Sequence, residues 1–253
     1  MAQITLQPGY VLHARAYRDS SVLVELLTRD YGRIGAVARG AKRVRSPFQG
    51  LLQPFNPLLL SWTGAGDLVS LRCAESAGQV VGLSGFALIS GLYLNELSTR
   101  LLQRFDPHPE LFAHYAEALD NLRQCGGDKS AALERVLRLF EKHLLDALGY
   151  GLTLDCEAET ARPVEADGMY DYHLEHGPVP AVHDERNNQY PSRRIVAGLS
   201  GQTLLSLGAG ELTEARSLRE SKRLMRATLG LYLGDKPLYS RKLFAPPESS
   251  SVP

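Results

Sequence analysis

The chain opens on a two-residue period. "GYVLHARAY" (9–17) alternates apolar and polar residues in its first half, and "SVLVELLT" (21–28) is rich in β-branched and aliphatic residues. "RIGAVAR" (33–39) follows the turn-like "DYG", and "PFNPLLLSW" (54–62) and "DLVSLRCAE" (67–75) flank the glycine turn "TGAG". These segments predict five short strands. Five antiparallel strands must cover their edges, and closure into a barrel does so. An OB-type barrel matches the count and size. An SH3-like barrel or a small sandwich gives the same pattern, so strand count alone leaves all three open.

Near residue 83 the period changes. "SGFALISGLYLNELSTRLLQRF" (84–105) and "PELFAHYAEALDNLRQ" (109–124) carry helical spacing, ended by "DPHP" and "CGG". In "DKSAALERVLRLFEKHLLDALGYG" (128–151), Leu133, Val136, Leu137, Phe140, Leu144, Leu145 and Leu148 form one apolar stripe, the core face of a helix. Asp128 is placed to cap its start and Gly149 to follow its end. Residues 152–196 lose that period, turn acidic and read as irregular, with strand-like pieces in "MYDYHLEH" and "SRRIVAGLS". Helical spacing returns in "SGQTLLSL" and "LTEARSLRESKRLMRATLGLYLG". The tail 246–253 has the composition of a disordered segment. The expected organisation is α+β: a β-domain over 1–82 and a mainly helical domain over 83–245 holding the irregular insertion 152–196.

Charge changes this picture only when it is located. The 253 residues carry 28 Lys+Arg and 28 Asp+Glu, a net charge of zero. Yet residues 1–95 hold nine cations and five acids, residues 96–190 nine and eighteen, and residues 191–253 ten and five. The stretch 31–66 holds five cations and no acid. Four of them, Arg39, Lys42, Arg43 and Arg45, fall in "ARGAKRVRSPFQG" (38–50), between the third and fourth expected strands. A local stripe of this kind attracts phosphate whatever the bulk charge. Single-strand binders pair such a track with aromatic faces, and Tyr17, Tyr31, Phe48, Phe55 and Trp62 are interleaved here. Trp62 shares strand parity with Leu58 and Leu60 and is expected in the core. Phe48, in the loop itself, is the candidate for base stacking. The residues alone leave a solvated surface loop and a polyanion groove both open.

Other chemistry finds little support. Cys73, Cys125 and Cys156 are an odd number at wide spacing, which argues against a disulfide framework and for a reduced, cytoplasmic setting. No apolar run has the length of a membrane span, and no signal peptide opens the chain. Neither a P-loop nor a dinucleotide fingerprint nor a G-x-S-x-G elbow occurs. Cys156, His173, His176 and His183 share the irregular segment without a C-x-x-C pair, so no metal site is expected. No cofactor is expected either.

The motifs "VARGAKR", "LQPFNPLLL", "LYLNEL", "ALGYG" and "YLGDKPLYSRKLF" occur in this order over nearly the whole chain. Together they resemble RecO, the bacterial recombination mediator and DNA repair family. The resemblance implies an N-terminal OB barrel and a C-terminal helical domain, with no covalent chemistry. It implies binding of single- and double-stranded DNA and annealing of complementary strands. It also implies partnership with RecR and with the acidic, hydrophobic-ending tail of single-strand binding protein, with recombinase loading as the outcome. Arg39, Lys42, Arg43 and Arg45 fall on the family's basic barrel loop and are assigned to DNA contact, with Arg33 on the preceding strand as a lesser member. For the partner tail, Arg138 beside the apolar stripe is the candidate, and Arg135 the second. Arg223, Arg226, Arg241 and Lys242 would either extend the DNA surface or balance the acidic middle. The implied location is the cytoplasm, at the nucleoid during repair. Some members of the family carry four zinc-binding cysteines in the region matching 152–190. Here only Cys156 stands, so zinc is not carried over. A protein-interaction scaffold with an incidental basic loop is the alternative, and a metal-dependent nuclease using the acids of 155–185 a more distant one.

Overall fold

Local sequence chemistry sets each element of the fold. The computed structural model describes residues 3–79, 82–181 and 195–244. The chain divides into two compact units, Met1–Asp128 with Pro237–Pro253, and Lys129–Lys236. The expected break at 82–83 falls within the first unit. The expected disordered tail 246–253 lies outside the described residues.

Five strands build the first unit: β1 (Gln3–Tyr17), β2 (Ser21–Thr28), β3 (Gly32–Ala38), β4 (Leu58–Thr63) and β5 (Leu68–Ser76). They close into a barrel in the order β1-β2-β3-β5-β4, with β3 and β5 parallel and every other pair antiparallel. That order, with one parallel pairing closing the cylinder, is the OB type, and it removes the alternatives of sandwich and SH3-like barrel. Val11, Val24, Leu26, Ile34, Leu60 and Trp62 are among the side chains that fill the interior. Trp62 is core, as its parity implied, and Tyr31 meets it edge-on at 5.3 Å.

β1 runs six residues further toward the N-terminus than alternation indicated. A register shift between Ile4 and Gln7, with Leu6 at φ 50, breaks the period there. β4 starts only at Leu58, because Pro54 and Pro57 cannot donate to a ladder.

Two helices, α1 (Gly85–Leu101) and α2 (Pro109–Cys125), and a short α6 (Tyr239–Leu243) complete this unit. Asn95 of α1 donates to the carbonyl of Leu12 in β1 at 2.9 Å and accepts from the Tyr115 hydroxyl of α2 at 2.5 Å. Burial pushes the Tyr115 phenol far above its ordinary value, which keeps it a donor. At Gly91 a Cβ would lie 2.9 Å from the Phe55 ring, so only glycine lets α1 approach the barrel there.

α1 ends at Leu101, short of the expected Phe105. Residues 102–106 instead strap the open edge of β3: Phe105 N–H donates to Arg33 O at 3.0 Å. Gly32, at φ +63, faces this strap so closely that a Cβ would sit 2.0 Å from Asp106 O. Helical periodicity cannot register such a strap, because its register is set by the part of β3 that β5 leaves unpaired, far away in sequence.

The second unit holds α3 (Ala131–Ala147), α4 (Gly201–Ala209), α5 (Ala215–Leu233) and a small sheet of β6 (Met169–His173), β7 (Gly177–Pro180) and β8 (Ile195–Ser200), ordered β7-β6-β8. β6 and β8 fall in the two strand-like pieces "MYDYHLEH" and "SRRIVAGLS" of the segment that read as irregular, whereas β7, four residues long, is too short to establish a period. The α3 stripe is buried from Leu133 to Leu145, as expected. Its N-cap is Ser130, whose Oγ accepts from Leu133 N–H at 3.2 Å, and not Asp128. Gly149 follows the helix at φ 78, in the left-handed conformation expected there.

Glu220 of α5 locks the start of α4. Its carboxylate accepts from Ser200 N–H (2.9 Å), Ser200 Oγ (2.9 Å), Thr203 Oγ1 (2.7 Å) and Arg216 Nε (2.6 Å). Burial raises its pKa, but these donors outweigh burial and bring it down to about 2. A carboxylate depressed on folding contributes stability above its unfolded value, lost as pH falls through the folded one. The melting temperature is therefore expected to drop between about pH 4.5 and pH 2. Glu220→Gln should melt lower at neutral pH and lose that part of the acid dependence, read by circular dichroism across a pH series.

Candidate nucleic-acid interface

The four loop cations stand on a firmly seated loop. After β3 ends at Ala38, tight turns carry the chain outward. Arg43 N–H donates to Gly40 O at 3.0 Å and Ser46 N–H to Arg43 O at 3.1 Å. The loop then returns inward. Phe48 and Leu52 enter the barrel core, and Phe48 N–H donates to Ser46 Oγ at 3.2 Å. Arg39, Lys42, Arg43 and Arg45 are all exposed. Among the described residues no acidic side chain pairs with any of them. Cations held together without a neutralising carboxylate keep their field available to phosphate.

Other assigned residues have different surroundings. Phe48 is 5% exposed, and this burial corrects the stacking role expected of it. It follows a turn that points back into an apolar interior, where the ring gains more from burial than from a wet loop. Arg33 is tied down: Nη1 donates to Glu25 Oε2 at 3.0 Å and Nε to Leu102 O at 3.0 Å. Burial pulls its pKa below the ordinary value against the opposing pull of Glu25. Arg104 shares the same Glu25 carboxylate and donates to Asp67 O at 2.7 Å. Arg33 thus belongs to the ion cluster that fastens the strap, unlike the four exposed loop cations.

Arg138 is likewise corrected as a partner contact. It is 7% exposed and donates to Glu141 Oε1 at 2.6 Å, inside the second unit. One turn of helix puts the two side chains side by side, and the pair packs inward with the stripe. Arg135 is exposed on the same helix. Of the C-terminal cations, Arg223 donates to Ala197 O at 2.5 Å, Arg241 lies over the Tyr93 ring and Lys242 over Tyr239. Arg226 is exposed.

At the β1–β2 hairpin the sequence marked Tyr17 as an interleaved aromatic but not the cations Arg15 and Arg18 beside it. Arg15 and Arg18 are exposed, and Tyr17 is half-buried with the Arg18 guanidinium carbon 5.2 Å from its ring centroid. The pairings Tyr17↔Ser21 and Val22↔Ala38 bring the hairpin end alongside the start of the basic loop. Lys42 N–H donates to Ser20 O at 3.0 Å and joins the two. The signal was present as "ARAYRDSS", but Asp19 dilutes its charge, and only strand register makes it a neighbour of Arg39.

Among the described residues no group of three or more His, Cys, Asp or Glu is placed to hold a metal ion. Cys156 sits in an isolated bridge to Pro163, and His183 lies outside the described residues. No described helix is long and apolar enough to cross a membrane.

Comparison with known proteins places this barrel and its loop. Residues 1–80 match the family model described as Recombination protein O N terminal, and residues 83–242 match Recombination protein O C terminal. The chain belongs to the RecO family. It is 49% identical over 241 residues to the DNA repair protein RecO of Nitrosococcus oceani, which covers 95% of this chain and 93% of that protein. The RecO of Alkalilimnicola ehrlichii is 48% identical over 96% of this chain and 91% of its own length. That of Nitrosospira multiformis is 44% identical over 94% and 93%. The RecO resemblance carried by the motifs thus holds from the barrel through α6, and the N-terminal domain is OB-type.

Proposed function

We propose that this chain is a recombination mediator in DNA repair. It binds single- and double-stranded DNA, anneals complementary strands, and with RecR helps load recombinase onto strands coated by single-strand binding protein. The observation that carries this reading is the set of four exposed cations, free of acidic partners among the described residues, on an anchored loop of an OB barrel.

Each cation that meets a phosphate releases a condensed counterion, which makes binding sequence-independent and salt-sensitive. Two strands neutralised on one surface repel less and come close enough to nucleate pairing. No covalent step and no cofactor enter. Arg135, exposed on α3, is the remaining cation proposed to meet the acidic tail of single-strand binding protein, since Arg138 is spent on Glu141. A protein with these partners works in the cytoplasm, at the nucleoid during repair.

Annealing tests the reading. Complementary oligonucleotides mixed with the protein, without nucleotide and with a metal chelator, should pair faster than without it, and the acceleration should fade as salt rises. Strands cut when magnesium is supplied would put a nuclease in its place. No acceleration and no DNA affinity would leave an interaction scaffold.

A further inference from the structure

Nucleic-acid binders of this fold class combine a cationic track with an aromatic face. Of the aromatic residues interleaved with the basic loop, Phe48, Phe55 and Trp62 are buried, and Tyr31, half-buried, packs against the barrel core at right angles to Trp62. Tyr17 differs. It lies on the outer face of β1, in line with exposed His13 and Arg15, at the end of the hairpin joined to the loop through Lys42 and Ser20.

Its neighbour Arg18 adds a second observation. Arg18 sits at φ 53, in the left-handed region, where glycine or asparagine is accommodated at less cost. Strained non-glycine residues gather at ligand sites, where the side chain is what the position retains. Here the strain swings an exposed guanidinium over the Tyr17 ring, at 5.2 Å from its centroid. A guanidinium over a phenol ring covers one face of it and extends the flat surface outward with its own plane, at one corner of the loop.

We propose that Tyr17 and Arg18 form a stacking platform for one base of a single strand whose phosphates run over Arg39, Lys42, Arg43 and Arg45. The proposal rests on the reading of that loop as a phosphate contact, and it adds a strand preference. A base in a duplex is already stacked on its neighbours and cannot reach the platform, so the pair favours single strands while the loop serves both. Tyr17 takes over the role that the sequence suggested for Phe48.

The test uses the full chain and an oligonucleotide carrying 2-aminopurine, with a duplex of equal length as the reference. Tyr17→Ala should weaken single-strand binding about tenfold. Its duplex affinity and its salt slope should stay near wild type, because no counterion is involved. Tyr17→Phe should bind as wild type, and 2-aminopurine fluorescence should respond to wild type and Tyr17→Phe but not to Tyr17→Ala. Arg18→Gly relaxes the backbone, so its melting temperature should hold or rise while single-strand affinity falls about fivefold. A structural role alone predicts no such split. Should Tyr17→Ala destabilise the barrel, Tyr17→Leu retains the apolar packing and gives the same readout. Single-strand affinity at the wild-type level in folded Tyr17→Leu and Arg18→Gly overturns the platform. If the fourfold alanine variant of the loop also binds like wild type, the loop reading itself has failed, and the two failures are thereby distinguished.

Discussion

Replacing Arg39, Lys42, Arg43 and Arg45 together by alanine is expected to lower single-strand affinity about 600-fold at 0.1 M salt. The magnitude follows from counterion release: each phosphate contact to a single strand contributes about 0.7 to the log–log salt slope, so four contribute about 2.8. At 0.1 M that slope difference is also the loss in log affinity. The same variant should bind with a much flatter salt dependence, and the difference should shrink toward 1 M. The side chains are exposed, and the loop is seated by Phe48 and Leu52, so the variant should melt close to wild type. Titration by fluorescence anisotropy at five salt concentrations reads both quantities. An affinity loss without a slope change would mean that the loop had been deformed rather than discharged.

The second large effect is on stability. Arg138→Met should destabilise the second unit by about 3–5 kcal/mol, because it takes from the buried Glu141 carboxylate the guanidinium that donates to it at 2.6 Å. For a chain of this size that corresponds to a melting temperature lower by about 6–20 °C. Arg138 Nε is buried and has no hydrogen-bond partner among the described residues, so the guanidinium is not fully satisfied even in the pair. Buried pairs of this kind are often replaceable by apolar side chains of similar volume. Arg138→Met combined with Glu141→Leu is therefore expected to recover most of the loss. Denaturant melts of the single and double variants check this. Equal destabilisation in both would show that the ion pair itself, rather than the buried carboxylate left behind, sets the stability. If the double variant recovers its stability, binding of an acidic partner peptide can be measured on it with α3 folded and the guanidinium removed.

Much of the barrel was legible because alternation reports which face is buried. β2, β3 and β5 appear within a residue or so of their expected limits, and Trp62 is core as its parity implied. The order of the strands was not legible, since the parallel pairing of β3 with β5 joins segments thirty residues apart and leaves no local mark. The strap 102–106 escaped for the same reason.

The four loop cations were legible as charge. What each exposed or buried side chain does was not. Phe48 sits in polar company along the chain and Arg138 is itself charged on the flank of an apolar stripe, yet both turn inward in the fold. Burial of a loop residue depends on where the chain returns, and burial of a helix flank on what packs against it. Tyr17 and Arg18 were hidden by the converse effect: their neighbours in space lie twenty residues on, across one hydrogen bond from Lys42 to Ser20.

The central claim is that phosphates meet the loop 39–45. Covalent footprinting of lysine and arginine side chains on the wild-type protein, with and without oligothymidine, tests it most directly. Arg39, Lys42, Arg43 and Arg45 are expected to be protected, with Arg135 reacting equally in both states. Unchanged reactivity at all four loop cations, with protection appearing elsewhere on the chain, would contradict it.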